Sequence, residues 1–184
     1  MATIPQPVSP GFTTVGQIVA AVPGIPVSRI RLQPTPGTAT EEAVLRARQK
    51  ERVYCELIDG VLVEKPMGYE ESIIVQNMLA VIHAFVKKHD LGLVGGEGGM
   101  LRLSANQIRI PDGSFVSWNQ LPGRILPSEP IWDIYPDLAI EVLSASNTRA
   151  EITRKIGEYF DAGTRLVWIV ELLKPLPCTL RQRY

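Results

Sequence analysis

The run of residues 138–143 constrains this chain more than any other feature. Leu138, Ala139, Ile140, Val142 and Leu143 form a continuous apolar stretch of the kind read as a strand covered on both faces. Glu141 stands inside it. A bare carboxylate there would cost several kcal/mol, so Glu141 requires a cation, a proton, or a place at the sheet end where it reaches water or an Arg. Just downstream, Thr148 and Glu151 have capping-box spacing and Gly163 suits a C′ position, which predicts a helix between them. Its expected buried stripe is Ile152, Ile156, Tyr159 and Phe160, with Lys155 at the flank. Residues 165–171 read as a second covered strand.

Upstream, residues 1–12 are rich in Pro and small residues and read as a loosely held arm. Residues 15–21 fit a short helix, and residues 29–32 a short extended piece. Thr40 is the expected N-cap of a helix through Lys50, with Glu41 and Glu42 at its positive end. Asp59-Gly60 between two β-rich runs predicts a hairpin with a type I′ turn. Glu56 alternates onto the face of Tyr54 and Ile58, so it is either a buried acid with a partner or an edge residue.

Residues 70–89 form the longest predicted helix, with Ile74, Met78, Val81, Ile82 and Phe85 as its main apolar stripe. Glu71 falls on that stripe in the first turn, where it either favours the helix dipole or points toward the sheet. Further apolar residues (Ile73, Val75, Leu79, Val86) lie outside the stripe, to be covered by other elements or a second subunit, so a homodimer is expected, without its surface being fixed. The glycines at 92, 95, 96, 98 and 99 match neither a dinucleotide fingerprint nor a P-loop and mark a bulged or tightly turning strand pair. Ile108, Ile110 and Asp112 alternate onto one face, with Pro111 forcing an edge or irregularity just before the acid. The Pro-rich stretch 119–136 is a long loop, and the tail from residue 172 has no clear pattern.

Helix, hairpin, helix, strands, covered strand, helix and covered strand, in that order, give an α/β core with helices flanking a mixed sheet. Net charge is zero, from 19 basic and 19 acidic residues, which is not the usual footprint of a nucleic-acid binder. Cys55 and Cys178 are too few for a disulfide framework, and no segment approaches a membrane span, so a soluble, cytoplasmic protein is expected.

Asp112 at a strand irregularity, Glu141 within the next core strand and Lys155 on the following helix form one constellation. Two carboxylates on adjacent strands can share Mg²⁺ or Mn²⁺, and a nearby Lys can act on an attacking water or offset charge at phosphorus. Asp137 shares the Glu141 face, but four residues of strand put it about 13 Å away, too far for one small cation. It is expected to anchor the strand entry. His83 and His89 lack zinc-like partners and read as structural.

Four segments carry a resemblance: Tyr54-Cys55-Glu56-Leu57-Ile58-Asp59-Gly60; Arg109-Ile110-Pro111-Asp112; Pro136-Asp137-Leu138-Ala139-Ile140-Glu141-Val142-Leu143-Ser144; and Gly163-Thr164-Arg165-Leu166-Val167-Trp168-Ile169-Val170. In this order, over residues 52–171, they are similar to the Uma-two family of the PD-(D/E)XK restriction-endonuclease-like superfamily. The resemblance implies that fold over residues 39–184, preceded by an arm and short elements over residues 1–38. It implies a divalent metal (Mg²⁺ or Mn²⁺) on Asp112 and Glu141, and hydrolysis of DNA phosphodiesters. In the wider superfamily the lysine lies two residues after the acid, where this chain has Leu143; in this branch it moves to the next helix, at Lys155. Glu56 matches the acid of the family's hairpin motif. Glu71 stands where relatives often carry His, and Gly113 where they carry an apolar residue. Two function classes follow: a metal-dependent endonuclease, or a non-catalytic dimeric interaction protein that retains the fold.

Overall fold

The structure, a computed structural model, describes residues 11–66 and 68–171. Residues 1–10 of the expected arm, and the tail with Cys178, lie outside the described residues. Among the described residues no helix is long and apolar enough to cross a membrane.

Helix α1 (Val15–Ala21) is closed at its start by a capping box from Thr14 and Gln17. A 3₁₀ turn at Val27–Arg29 follows; of the extended piece expected at residues 29–32, Ile30 makes an isolated bridge to Val63 and Arg31 N donates to Leu62 O. Helix α2 (Glu41–Arg46) begins after Thr40, whose backbone is extended but whose side chain makes no cap bond. Strands β1 (Cys55–Ile58) and β2 (Val61–Glu64) form the expected hairpin. Asp59 and Gly60 have φ of 48° and 76°, as a type I′ turn requires. Alternation then divides the hairpin between two cores. Cys55, Leu57 and Leu62 pack with Val44 and Ala47, whereas Ile58, Val61 and Val63 pack with Ile18, Val22 and Ile25.

The remaining elements are α3 (Tyr69–Lys88), β3 (Gly92–Gly95), β4 (Met100–Ser104), β5 (Gln107–Arg109), β6 (Gly113–Ser117), β7 (Ile131–Trp132), β8 (Leu138–Leu143), α4 (Arg149–Ala162) and β9 (Leu166–Glu171). The strands divide into two mixed sheets, ordered β2-β1-β5-β4-β7 and β3-β6-β8-β9. The glycine-rich segment therefore does not form a strand pair: β3 and β4 belong to different sheets. The chain passes between the sheets again at Ile110-Pro111-Asp112, from β5 to β6. Pro111 has no N–H for a ladder there, so the break falls at the proline and leaves Asp112 at the junction.

β8 is buried through Val142, between antiparallel β6 and parallel β9, as its unbroken apolar run predicts. β9 differs from expectation. It pairs only with β8 among the described residues, so Leu166 and Trp168 remain substantially exposed.

α3 docks on β3 and β8 by a different face from the one expected. Val75 and Val86 are buried, while Val81 is 72% and Phe85 58% exposed. The reason lies in the sheet. A Cβ on Gly113 would come within 2.8 Å of Leu79 Cδ2, so glycine there admits the Leu79 side of the helix.

α4 also turns an unexpected face inward. Thr148 caps Glu151 N as predicted, but the Glu151 side chain bonds elsewhere instead of completing the box. The buried residues are Glu151, Lys155, Glu158 and Tyr159, whereas Phe160 is 49% exposed. Their i, i+4, i+7, i+8 spacing is that of a single helix face. That face is charged because its partners are charged.

Candidate active site

The register of β6 on β8 pairs Gly113 with Ile140. One residue upstream of that pair, Asp112 lies outside the ladder at the bend that enters β6, and it lines one crevice together with Glu141. Asp112 is fixed at both oxygens. Oδ2 accepts a 2.7 Å bond from Val142 N, and Oδ1 lies 2.7 Å from Lys65 Nζ. Lys65 also donates to Ile110 O. Glu141 accepts from Lys155 Nζ at 3.0 Å and from Tyr159 Oη at 2.8 Å.

Behind this pair lies a buried ionic layer. Glu56 and Arg109 are each fully buried. Arg109 Nη1 donates to Glu56 Oε2 at 2.7 Å, and its Nε and Nη2 donate to Glu158 Oε2. Glu56 Oε1 accepts from Ile110 N at 3.2 Å and faces Lys155 Nζ at 3.2 Å. Arg154 holds Glu158 Oε1 at 2.6 Å and reaches Ala21 O and Asp59, tying α4 to α1 and to the hairpin turn. Lys155 is therefore the hinge between the two layers, bonded to Glu141 on one side and Glu56 on the other.

These contacts set the protonation states. Burial acts against the Lys155 ammonium, yet Glu141 and then Glu56 outweigh it and raise its pKa above the ordinary lysine value. Burial opposes the Glu56 carboxylate too, but Lys155, Arg109 and Lys65 hold its pKa well below the usual 4.5. Burial and the Glu141 charge push Tyr159 up, so its hydroxyl stays a donor. Glu97 is raised by burial and by Asp112, which places it beside the same acids.

Because Glu56 binds its proton more readily in the unfolded chain than in the folded one, its contribution to stability is complete above pH of about 4.5. That contribution is lost as pH falls toward the depressed folded value. Melting curves from pH 7 to pH 3 are expected to show a steeper acid decline for the wild type than for Glu56→Gln. Parallel acid limbs would contradict the assignment.

Asp112, Glu141 and Lys155 open onto one crevice, together with Arg29, Lys65, Glu71 and Glu97. Its volume of about 20 Å³ is room for roughly one water-sized group. Glu71 reaches it by folding back over Gly68, where a Cβ would lie 1.8 Å from its Oε2. Glu56 is not at the crevice; it sits one layer below. Asp137 stands apart and accepts from Ser117 N at 2.8 Å, anchoring the strand entry as expected. His83 and His89 are exposed on α3 and its end.

The residues fit a divalent cation of the Mg²⁺ type. No group of three or more His, Cys, Asp or Glu forms a ready cage among the described residues. Mg²⁺ does not need one, since it takes one or two carboxylates plus waters and phosphate oxygens. Each oxygen of Asp112 and Glu141 makes one contact and retains a second lone pair.

Two residues central to this site carried no role in the sequence reading. Lys65 continues the Val61 and Val63 face of β2, where a charge after two core residues is a signal of a buried partner. Arg109 interrupts Ile108 and Ile110, but its partners are visible only once β1 pairs with β5. The register Leu57 with Ile108, extended one step, sets Glu56 opposite Arg109.

A family model described as "Uma2: Putative restriction endonuclease" matches residues 41–181. Among solved structures, the chain is similar to a putative nuclease belonging to DUF820 from Anabaena variabilis ATCC 29413. The two share 24% identity and a TM-score of 0.60, over 72% of this chain and 73% of that one. No curated protein sequence matches. The likeness shows a common restriction-endonuclease-like fold, with α-helices flanking mixed sheets. With three quarters of its length matched, the chain belongs to the Uma2 family of restriction-endonuclease-like proteins.

Proposed function

We propose that this chain is a divalent-metal-dependent endonuclease that hydrolyses DNA phosphodiester bonds at the Asp112–Glu141 crevice. The observation that carries the reading is the convergence of these two carboxylates and Lys155 on one opening. Mg²⁺ or Mn²⁺ bound to Asp112 and Glu141 would supply charge stabilisation at phosphorus and lower the pKa of water. In the reaction a water oxygen forms the new P–O bond, one ester P–O bond breaks, and the water proton is balanced on the leaving oxygen.

Lys155 serves this chemistry as a cation. Held protonated between Glu141 and Glu56, it is not the general base. Two of its three N–H groups meet those carboxylates, and the third remains for a phosphate oxygen or the attacking water. Tyr159 and Glu56 orient the pair from behind. Lys65 steadies Asp112 through its contact with Oδ1.

Metal binding is checked apart from catalysis. Millimolar Mn²⁺ is expected to raise the wild-type melting temperature by mass action. Asp112→Asn, nearly isosteric, is expected to abolish that rise while still folding. An unchanged rise in Asp112→Asn would remove Asp112 from the ligand set.

A further inference from the structure

The crevice has a lining residue that comes from upstream of the family match: Arg29, in the 3₁₀ turn after α1. It is buried and tightly held. Nε donates to Glu64 O at 2.8 Å, and Nη1 lies 3.0 Å from Glu151 Oε2 and 2.9 Å from Oε1. The first contact is an aligned hydrogen bond and the second only a charge contact, since Oε1 has no aligned donor among the described residues. Glu151 in turn is fixed by Asn147 Nδ2.

These partners position the guanidinium and leave Nη2 with no protein acceptor among the described residues. Each of the other two cations of the crevice commits two of its three N–H groups and keeps one, whereas both N–H groups of Arg29 Nη2 are free among the described residues. Lys65 meets Asp112 and Ile110 O, and Lys155 meets Glu56 and Glu141. Four carboxylates face these three cations across the opening. A DNA phosphate approaching it is repelled unless some cation has a donor edge free to receive it, and Arg with a fixed planar fork suits phosphate oxygens.

We propose that Arg29 is a phosphate-binding residue of the crevice, contacting a DNA backbone phosphate through Nη2. The inference rests on the endonuclease reading and extends the site to the N-terminal segment. Its ion pair with Glu151 is then a positioning contact that presents the free edge of the guanidinium. A purely structural Arg29 would instead do no more than fasten that segment to the start of α4.

The two roles separate in one experiment with the full chain. Binding of a fluorescein-labelled mixed-sequence duplex is measured by anisotropy in Ca²⁺ buffer over a range of salt concentrations, beside melting temperatures. Arg29→Met is expected to weaken binding about tenfold and to reduce the slope of log affinity against log salt by about one, as for a lost phosphate contact. Arg29→Lys is expected to keep the slope. Glu151→Gln, which loosens the same ion pair, is expected to lower the melting temperature but keep the slope. If the wild type binds and Arg29→Met retains its slope, or Glu151→Gln loses as much, this inference is overturned and the endonuclease reading stands. A wild type that binds no DNA overturns both.

Discussion

Replacing Arg109 with methionine is expected to lower the melting temperature by about 6–20 °C, or to prevent folding altogether. Breaking a buried ion pair by removing one partner costs about 3–5 kcal/mol, and each kcal/mol shifts a domain of this size by about 2–4 °C. Arg109 is fully buried between Glu56 and Glu158 and makes charged hydrogen bonds to both. Methionine fills much of the same space, so the loss is one of charge and not of packing. Among the described residues, Glu56 then keeps only Lys155 and Ile110 N, and Glu158 keeps only Arg154. The same physics predicts partial recovery in Arg109→Met/Glu158→Gln, because one stranded anion is removed with the cation. Thermal melts of the three proteins check this. A loss below about 2 °C for the single variant would show that the layer does not depend on Arg109.

Lys155→Ala is expected to lose Mn²⁺-dependent cleavage by about a hundredfold or more, the scale of losing an electrostatic or proton-transfer group in a water-poor site. It is also expected to melt lower than wild type, because Glu56 and Glu141 share this ammonium deep in the protein. The assay is therefore run well below the variant's melting temperature, with its fold verified by circular dichroism. Lys155→Arg retains a charge at the same place and is expected to be less destabilised. Equal cleavage rates for wild type and a folded Lys155→Ala would show that the lysine of this site is elsewhere.

Much of this architecture is legible before any coordinates. The β8 run is apolar on both faces, so its burial and the demand it makes on Glu141 follow from residue chemistry alone. Asp59-Gly60 and the Thr148 to Gly163 interval announce the hairpin turn and α4 because each depends on local backbone preferences. What is not legible depends on contacts between distant segments. α3 carries apolar residues on more than one face, so periodicity alone does not choose the face that docks on β3 and β8. α4 buries Glu151, Lys155 and Glu158, the opposite of an apolar-stripe reading, because Arg29, Glu141, Glu56 and Arg109 arrive from four other segments to meet them. Asp112, Glu141 and Lys155 could be singled out by residue type and order. Lys65 carries only the signal of a charge continuing a core face, and nothing within the segments of Lys65 or Arg29 reveals which acids they face.

The most direct test of the account is nicking of supercoiled plasmid DNA by wild type and Glu141→Gln, each with Mn²⁺ and with EDTA. Glu141→Gln keeps the shape of the side chain and an acceptor for Lys155 or Tyr159, so it removes charge with little change in packing. The account predicts open circles from wild type with Mn²⁺, none with EDTA, and a loss of at least about a hundredfold in Glu141→Gln. Nicking by Glu141→Gln at the wild-type rate, or wild-type nicking undiminished in EDTA, would contradict it.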